Sequence, residues 1–372
     1  MTDLPAIIVV AYSARSLAAS AAHAGFAPLS IDVFGDDDMR EMSVASVKLD
    51  GGLAEGLTRG KVMGAVETLI GAHDPVGLVY GAGFEHQPET IAAIASKIRV
   101  FGNDDKTLKR AKDPVALARV CEANGVRHPQ VVFAPPDEPE LWLVKRRGGS
   151  GGAHIAAAYD ASGASPDCYY QLRVTGESIS ALFLASERRS EIIGLTTQWT
   201  APTPVSPFRY GGAAGPVDID PAQAEEIARS VAAIASELNL VGLSSADFLV
   251  SDDAVWLIEV NPRPGATLDV FESNESPLFA RHIAACEGRL APTSPSLAFK
   301  AAEIVYAPCD IVAPEGRSWP DWAVDRSPPG TRFSTGDPVC TVLGSGATVD
   351  LARACVSERA QKVIALVQEA ED

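Results

Sequence analysis

The alternation of apolar and polar positions predicts most of the architecture. Over the first ~105 residues, short apolar runs alternate with Ala-rich stretches. "AIIVVAY" reads as a buried strand, "SARSLAASAAHAG" as a helix ending at Gly25, and "APLSIDVF" as a second strand. "VGLVYGAG", "ETIAAIASKI" and "RVFGN" repeat the rhythm as strand, helix and strand. Strands alternating with helices in this way predict a parallel sheet covered on both faces. "DKTLKRAKDPVALARVCEANGVRHP" (105–129) then predicts a helix pair, and residues from about 130 to 185 are mainly strand-like. "PAQAEEIARSVAAIASELN" predicts a helix with Pro near its first position and its acids in the first turn. From about residue 292, Pro and Gly rise among short β-type runs, and "ERAQKVIALVQEA" predicts a closing helix.

One stretch departs from its own pattern. "VWLIEVNPRPG" (255–265) starts as an apolar strand, yet Glu259, Asn261 and Arg263 follow at two-residue spacing. Side chains at i, i+2 and i+4 of a strand share a face. Three polar ends on one face of an apolar element are costly to bury unless something binds them. Upstream, "SADFLVSDDAVWLIEVNP" forms two apolar runs about Ser251–Ala254, which is a hairpin signal. Asp247 and Glu259 are equidistant from Asp253, so the hairpin places them nearly opposite, with Asn261 on the same face. Facing carboxylates repel unless a cation lies between them. Three oxygen ligands suit Mg²⁺, which completes its shell with water or phosphate.

Charge sharpens this picture. The chain carries a formal charge of −17 over 372 residues. Such a chain repels nucleic acid and anionic membrane surfaces, so neither is an expected partner. Any anionic substrate must be met by locally gathered bases or by a metal. The gathering occurs at "LWLVKRRGGSGGAHI", where a strand ends at Lys145 and runs into Gly148, Gly149, Ser150, Gly151 and Gly152. Glycines let backbone N–H groups approach phosphate oxygens, and the Lys adds a point charge. It is not a Walker loop, because no G-K-[ST] is present and the loop joins strands. "YYQLRVTGES" offers an extended backbone for an adenine edge, with Glu177 near the ribose. Lys112, placed at the start of the helix before "NGVRHP", offers a second phosphate contact. The first strand is followed by "YSARS", so a dinucleotide fingerprint is absent. The six Cys are scattered without a CxxC pair, which suits a reducing cytoplasm. No apolar run approaches the ~20 residues of a membrane span, and the short apolar run at the start lacks a basic leader and reads as a strand.

Taken together, these motifs resemble the ATP-grasp superfamily over roughly residues 1–290. Lys112 with "GVRHP", Lys145 with "GGSGG", "QLRVTG" (Gln171, Val174) and Asp247 with "EVNPRP" match its pattern in order and spacing. Two positions depart from it. Arg146 stands where a Pro commonly follows the loop Lys, and Leu172 where a hinge acid is often found. The resemblance implies an α/β ATP-grasp fold: an N-terminal parallel βαβ domain (1–105), an ATP-grasp domain (106–290) with a small lid at about 130–185, and a small β-rich C-terminal module (291–372). It implies ATP held by Lys112, Lys145, Gly148–Gly152, Gln171, Val174 and Glu177. It implies Mg²⁺, or Mn²⁺ in its place, on Asp247, Glu259 and Asn261.

Arg263 is expected at the transferring phosphoryl group or the substrate carboxylate. Arg209, in "PFRYGGAAGP", is expected to bind a second carboxylate. The implied activity is an ATP-dependent carboxylate–amine ligation through an acyl phosphate, with small-molecule substrates, and self-association is allowed. "PFRYGGAAGP" and "YGAGFE" are similar to segments of the tyramine–glutamate ligases of methanofuran-type cofactor biosynthesis. The alternatives are a bicarbonate-using ATP-grasp carboxylase and a nucleotide-binding regulatory protein without turnover.

Overall fold

The computed structural model describes residues 4–160, 167–292, 298–313 and 319–368. Residues 369–370 of the expected closing helix lie outside them. The N-terminal segment forms a five-stranded sheet in the order Ala45–Lys48, Ala27–Asp32, Ala6–Val10, Leu78–Tyr80, Val100–Phe101, all parallel. Its central strands are apolar on both faces because both are covered. Ile7 and Val9 pack toward the helix Arg15–His23, while Ile8 and Val10 pack toward the helix Arg59–His73. The strand order reverses between Ala6–Val10 and Leu78–Tyr80, which opens a crevice at their carboxyl ends.

The expected helix pair is present as Asp105–Lys112 and Pro114–Ala123. Lys112 closes the first helix instead of beginning the second. Asp113 caps the second by accepting hydrogen bonds from Val115 and Ala116 N–H, and Pro114 fits the first turn because it lacks an N–H. A four-stranded antiparallel sheet follows, in the order Val131–Val132, Cys168–Leu172, Trp142–Arg146, Ile155–Ala157. The next strand, Glu177–Ser186, already belongs to a larger sheet.

That sheet has eight strands, ordered Ala254–Asn261, Gly242–Ser251, Glu177–Ser186, Arg189–Thr200, Tyr210–Gly215, Phe299–Tyr306, Pro338–Gly346, Ala323–Val324. The last three come from the β-rich C-terminal segment, which therefore extends the central sheet. The helix Pro221–Leu238 covers one face through Ile227, Val231, Ile234 and Leu238. Its start is set by Asp220, whose carboxylate accepts from Ala222 and Gln223 N–H. The expected acids fall beyond the first turn, so Asp220 supplies the negative end that the helix dipole favours. The helix Val349–Gln368 packs against the C-terminal strands through Ala352, Val356 and Val363.

Candidate active site

The site begins with the hairpin. Its two-residue turn is Asp252–Asp253, and Ser251 pairs with Ala254, Val250 with Val255 and Phe248 with Leu257. Continued without change, this register would place Ile258 opposite Asp247. A bulge at that point advances one strand by a residue, so Asp247 faces Glu259 and Ser245 faces Asn261. Bulges re-aim side chains in this way. Ile258 and Glu259 both line the cavity, while Val260 returns to the core. The carboxylates therefore do face each other, and the bulge is the physical reason.

The cavity is about 1870 Å³, larger than the ~300–1000 Å³ of a typical small-molecule pocket. One wall is this hairpin and another is the four-stranded sheet with its glycine loop. The crevice of the parallel sheet and the C-terminal strands complete it. Of the expected residues, Lys112, Lys145, Gly148, Gly149, Ser150, Gly151, Gly152, Val174, Arg209, Asp247, Glu259, Asn261 and Arg263 all line it. Gln171 is buried and borders an adjoining cavity of about 30 Å³. Glu177 is exposed and is not among the residues lining either.

The polar contacts are specific. Asp247 accepts from Ser180 Oγ at 2.6 Å and from Asn261 Nδ2 at 3.0 Å. Burial and the Glu259 charge push its carboxyl up to about 6, against Ser180 and the nearby bases. Burial would also raise Glu259, but the Lys112 ammonium outweighs it, with His154 and Lys145, and holds it down to about 2. Lys112 Nζ donates to Glu259 and, at 2.7 Å, to Asn261 Oδ1. Lys145 is buried, and desolvation lowers its pKa while Glu259 and Asp247 oppose the shift.

The Lys112 ammonium bridges Glu259 and Asn261 Oδ1, so these two oxygens already meet a positive charge. Among the described residues, no group of three or more His, Cys, Asp or Glu side chains is placed to hold a metal ion. Two carboxylates and an amide fit Mg²⁺ only with phosphate or water completing the shell, as Mg²⁺ prefers.

The glycine loop needs its glycines. Gly148 has φ +65°, and a Cβ there would lie 2.6 Å from the Glu85 carbonyl oxygen. Gly152 has φ +75°, and its Cβ would collide with the Phe208 carbonyl. Tyr210 N–H donates to Gly151 O at 2.9 Å, so the loop is seated against both sides of the cavity.

The arginines are partly engaged. Arg263 is held by Glu85 through Nε at 2.8 Å. Burial would raise Glu85, but Arg263 and Lys112 keep its carboxyl below the usual range. Arg209 donates through Nε to Ala201 O and through Nη1 to Gly336 O, each at 2.9 Å, and stacks 3.6 Å over the Tyr306 ring.

Sequence reasoning missed several residues. Ser180 and Glu85 hold Asp247 and Arg263 from distant elements. His128 and His154 border the small cavity beside Lys112 and the glycines, and each has a buried Nδ1 without a hydrogen bond. Burial, then Lys145, lowers His128 to about 4, and burial lowers His154 to about 4, so both are neutral at pH 7. Their positions, one within "GVRHP" and the other just after the glycines, were the available signal.

The architecture is that of the ATP-grasp fold, and residues 111–267 match the ATP-grasp domain family. Solved structures agree over nearly the whole chain. The biotin carboxylase domain of Hydrogenobacter thermophilus 2-oxoglutarate carboxylase, solved as a dimer with MgADP, ADP and bicarbonate, superposes with a TM-score of 0.72 at 12% identity, covering 95% of this chain and 88% of that one. An L-amino acid ligase from Bacillus licheniformis gives 0.67 at 12% identity, covering 97% and 98%. N5-carboxyaminoimidazole ribonucleotide synthetase from Thermus thermophilus gives 0.68 at 14% identity, covering 95% and 98%. No curated protein matches the sequence. Among the described residues, no helix is long and apolar enough to cross a membrane.

Proposed function

We propose that this chain is an ATP- and Mg²⁺-dependent carboxylate–amine ligase that releases ADP. The observation that carries the reading is the facing of the Asp247–Glu259–Asn261 oxygen set toward Lys145 and the glycine loop across one cavity. A carboxylate is a poor electrophile, and phosphorylation by ATP makes it an acyl phosphate that an amine can attack. There is little covalent work for side chains, so positioning and charge supply the catalysis. Asp247, Glu259 and Asn261 would hold Mg²⁺, which neutralises phosphate charge when bound. Lys145 and the loop N–H groups bind the phosphates, and Lys112 joins them on leaving Glu259. Arg263, fixed in direction by Glu85, steadies the transferring group or the acid substrate. The seated glycine loop keeps water from the acyl phosphate.

The narrower reading pairs glutamate with tyramine or tyrosine, in the making of a methanofuran-like one-carbon carrier. Arg209 has Nη2 left for the second carboxylate of such an acid. The resemblance of "PFRYGGAAGP" and "YGAGFE" supports this choice. A second reading, carboxylation with bicarbonate, is favoured by the likeness to a biotin carboxylase domain solved with bicarbonate. Binding without turnover fits poorly with the complete set Lys145, Asp247, Glu259 and Asn261. Release of ADP is the measurement that decides, using a matrix of acids and amines with and without bicarbonate. Turnover that requires both an acid and an amine supports the ligase. Turnover that requires bicarbonate and no second acid moves the chain to the carboxylases.

A further inference from the structure

The far end of the cavity is acidic, and the chemistry above does not use it. Loops following the strands Ala6–Val10 and Ala27–Asp32 meet the C-terminal segment there. Asp32, Asp36, Asp38 and Asp325 gather at this junction. Three of them are supplied with donors. Asp32 accepts from Gly35 N–H at 2.8 Å. Asp38 accepts from the backbone N–H groups of Asp325 and Arg326, each at 2.9 Å. Asp325 accepts from Ser13 Oγ at 2.8 Å and from Arg15 Nε and Nη2, each at 3.1 Å. Arg15 directs its other donations to Asp269, at 2.6 and 2.7 Å.

Asp36 is different. It lines the cavity, is only 1% exposed, and its Oδ2 is buried without a hydrogen bond. It stands at the start of the helix Asp37–Met42, yet its side chain makes no capping bond. Leaving a buried carboxylate oxygen without a donor is expensive. The nearby guanidinium of Arg15 is already committed to Asp325 and Asp269. A ligand bringing an N–H donor into the cavity would satisfy that oxygen.

The chemistry narrows the ligand. Asp32, Asp38 and Asp325 already accept from protein donors, so among the described residues this corner has no group of three acids placed to hold a metal ion by themselves. An alkylammonium needs no fixed coordination shell and brings three N–H donors. Tyr12 and Phe34, which also line the cavity, offer apolar surface for its carbon chain. An amine that is to attack an acyl phosphate must first lose its proton, and a neighbouring carboxylate opposes that loss. The ammonium held here is therefore not the nucleophile.

We propose that Asp36, with Asp325 beside it, holds a substrate ammonium group that stays protonated while another group of the same substrate reacts. The reaction of that other group rests on the ligase reading; the binding of an ammonium does not. Burial, then the charges of Asp325, Asp32 and Asp38, push Asp36 up to about 8. A cation at Oδ2 would offset that penalty. Two kinds of substrate fit: an amino acid activated at a carboxylate, or an amine co-substrate with a second basic nitrogen.

Calorimetric titration of the full chain with two matched pairs tests this and separates the sources. The pairs are glutamate against glutarate, and 1,5-diaminopentane against pentylamine. The wild type should prefer the ammonium-bearing member of one pair at least tenfold, and which pair responds identifies the source. Asp36→Asn should reduce that preference to about threefold or less, and Asp36→Glu should restore part of it. A wild type without preference in either pair, whether both members bind alike or none binds, overturns the proposal. So does a preference that survives Asp36→Asn. Should the Asn variant fail to fold, the wild-type preference decides alone. ADP release is measured separately: no turnover with any acid and amine, while the preference stands, removes the ligase reading and leaves the ammonium site.

Discussion

The cavity has two acid clusters, and they are satisfied in opposite ways. At the hairpin, Asp247 and Glu259 face each other, but Lys112, Ser180 and Asn261 all bond to them. At the far end, Asp36 and Asp325 share a wall, Asp325 takes the donors, and Asp36 Oδ2 takes none. The first cluster carries its own cation in Lys112. The second commits its Arg15 elsewhere and leaves one oxygen for what enters. A cluster that can exchange an internal cation for an external one suits a catalytic metal. A cluster with an unfilled acceptor suits recognition.

That contrast predicts graded losses. The largest is expected for Glu259→Gln, which should lower kcat about 100- to 1000-fold, because it weakens the hold on the Mg²⁺ that would neutralise the reacting phosphates. Asn261 remains as an acceptor for Lys112, so the fold should persist. Near wild-type ADP release at saturating Mg²⁺ would take Glu259 out of the metal set. Lys145→Met comes next. The substitution keeps the stem buried and removes the charge that desolvation penalises, so stability should hold. ATP affinity should fall about 10- to 100-fold through loss of a charge-assisted phosphate contact, and equal affinity by titration would dismiss that role. Arg209→Ala should raise KM for the acid substrate about 10- to 100-fold while changing KM for ATP much less. If both constants move together, Arg209 acts only through its stacking on Tyr306 and its bonds to Ala201 and Gly336.

The two clusters also differed in how far the sequence revealed them. Asp247, Glu259 and Asn261 lie within 15 residues on one hairpin, and strand periodicity alone placed them on one face. Even there, the pattern could not show that a bulge at Ile258 provides the register, because a bulge is decided by three-dimensional twist and packing. Ser180 escaped notice because it reaches Asp247 across another strand pair. Glu177 was expected beside the ribose, but its strand turns it outward. The parallel sheet was legible from alternation. The merging of the C-terminal strands into the central sheet was not, since neighbouring strands there come from segments about 85 residues apart. Asp36 and Asp325 were invisible for the same reason: nothing local marks two acids, nearly 290 residues apart, as sharing a wall.

The smallest expected effect is on stability, and its sign separates the clusters. Asp36 is raised in the folded state to about 8 from an unfolded value of 3.8. Below the unfolded value both states are protonated and no penalty exists. As pH rises from about 4 to about 8, the unfolded chain loses its proton first, so the unfolded state is favoured progressively. Asp36→Asn removes that burden. Its melting temperature should exceed wild type by roughly 2–6 °C at pH 8 and by much less at pH 5. Glu259 has the opposite slope, because Lys112 holds it at about 2, below its ordinary 4.5. Its contribution is fully present above about pH 4.5 and is lost as pH falls toward 2. Glu259→Gln should therefore lower the melting temperature at pH 7, with the deficit shrinking in acid. Parallel pH dependences of the two variants' melting-temperature differences from wild type, followed from about pH 2.5 to pH 8, would show that the acid clusters are satisfied alike, and would remove the physical basis for reading one as catalytic and the other as a recognition site.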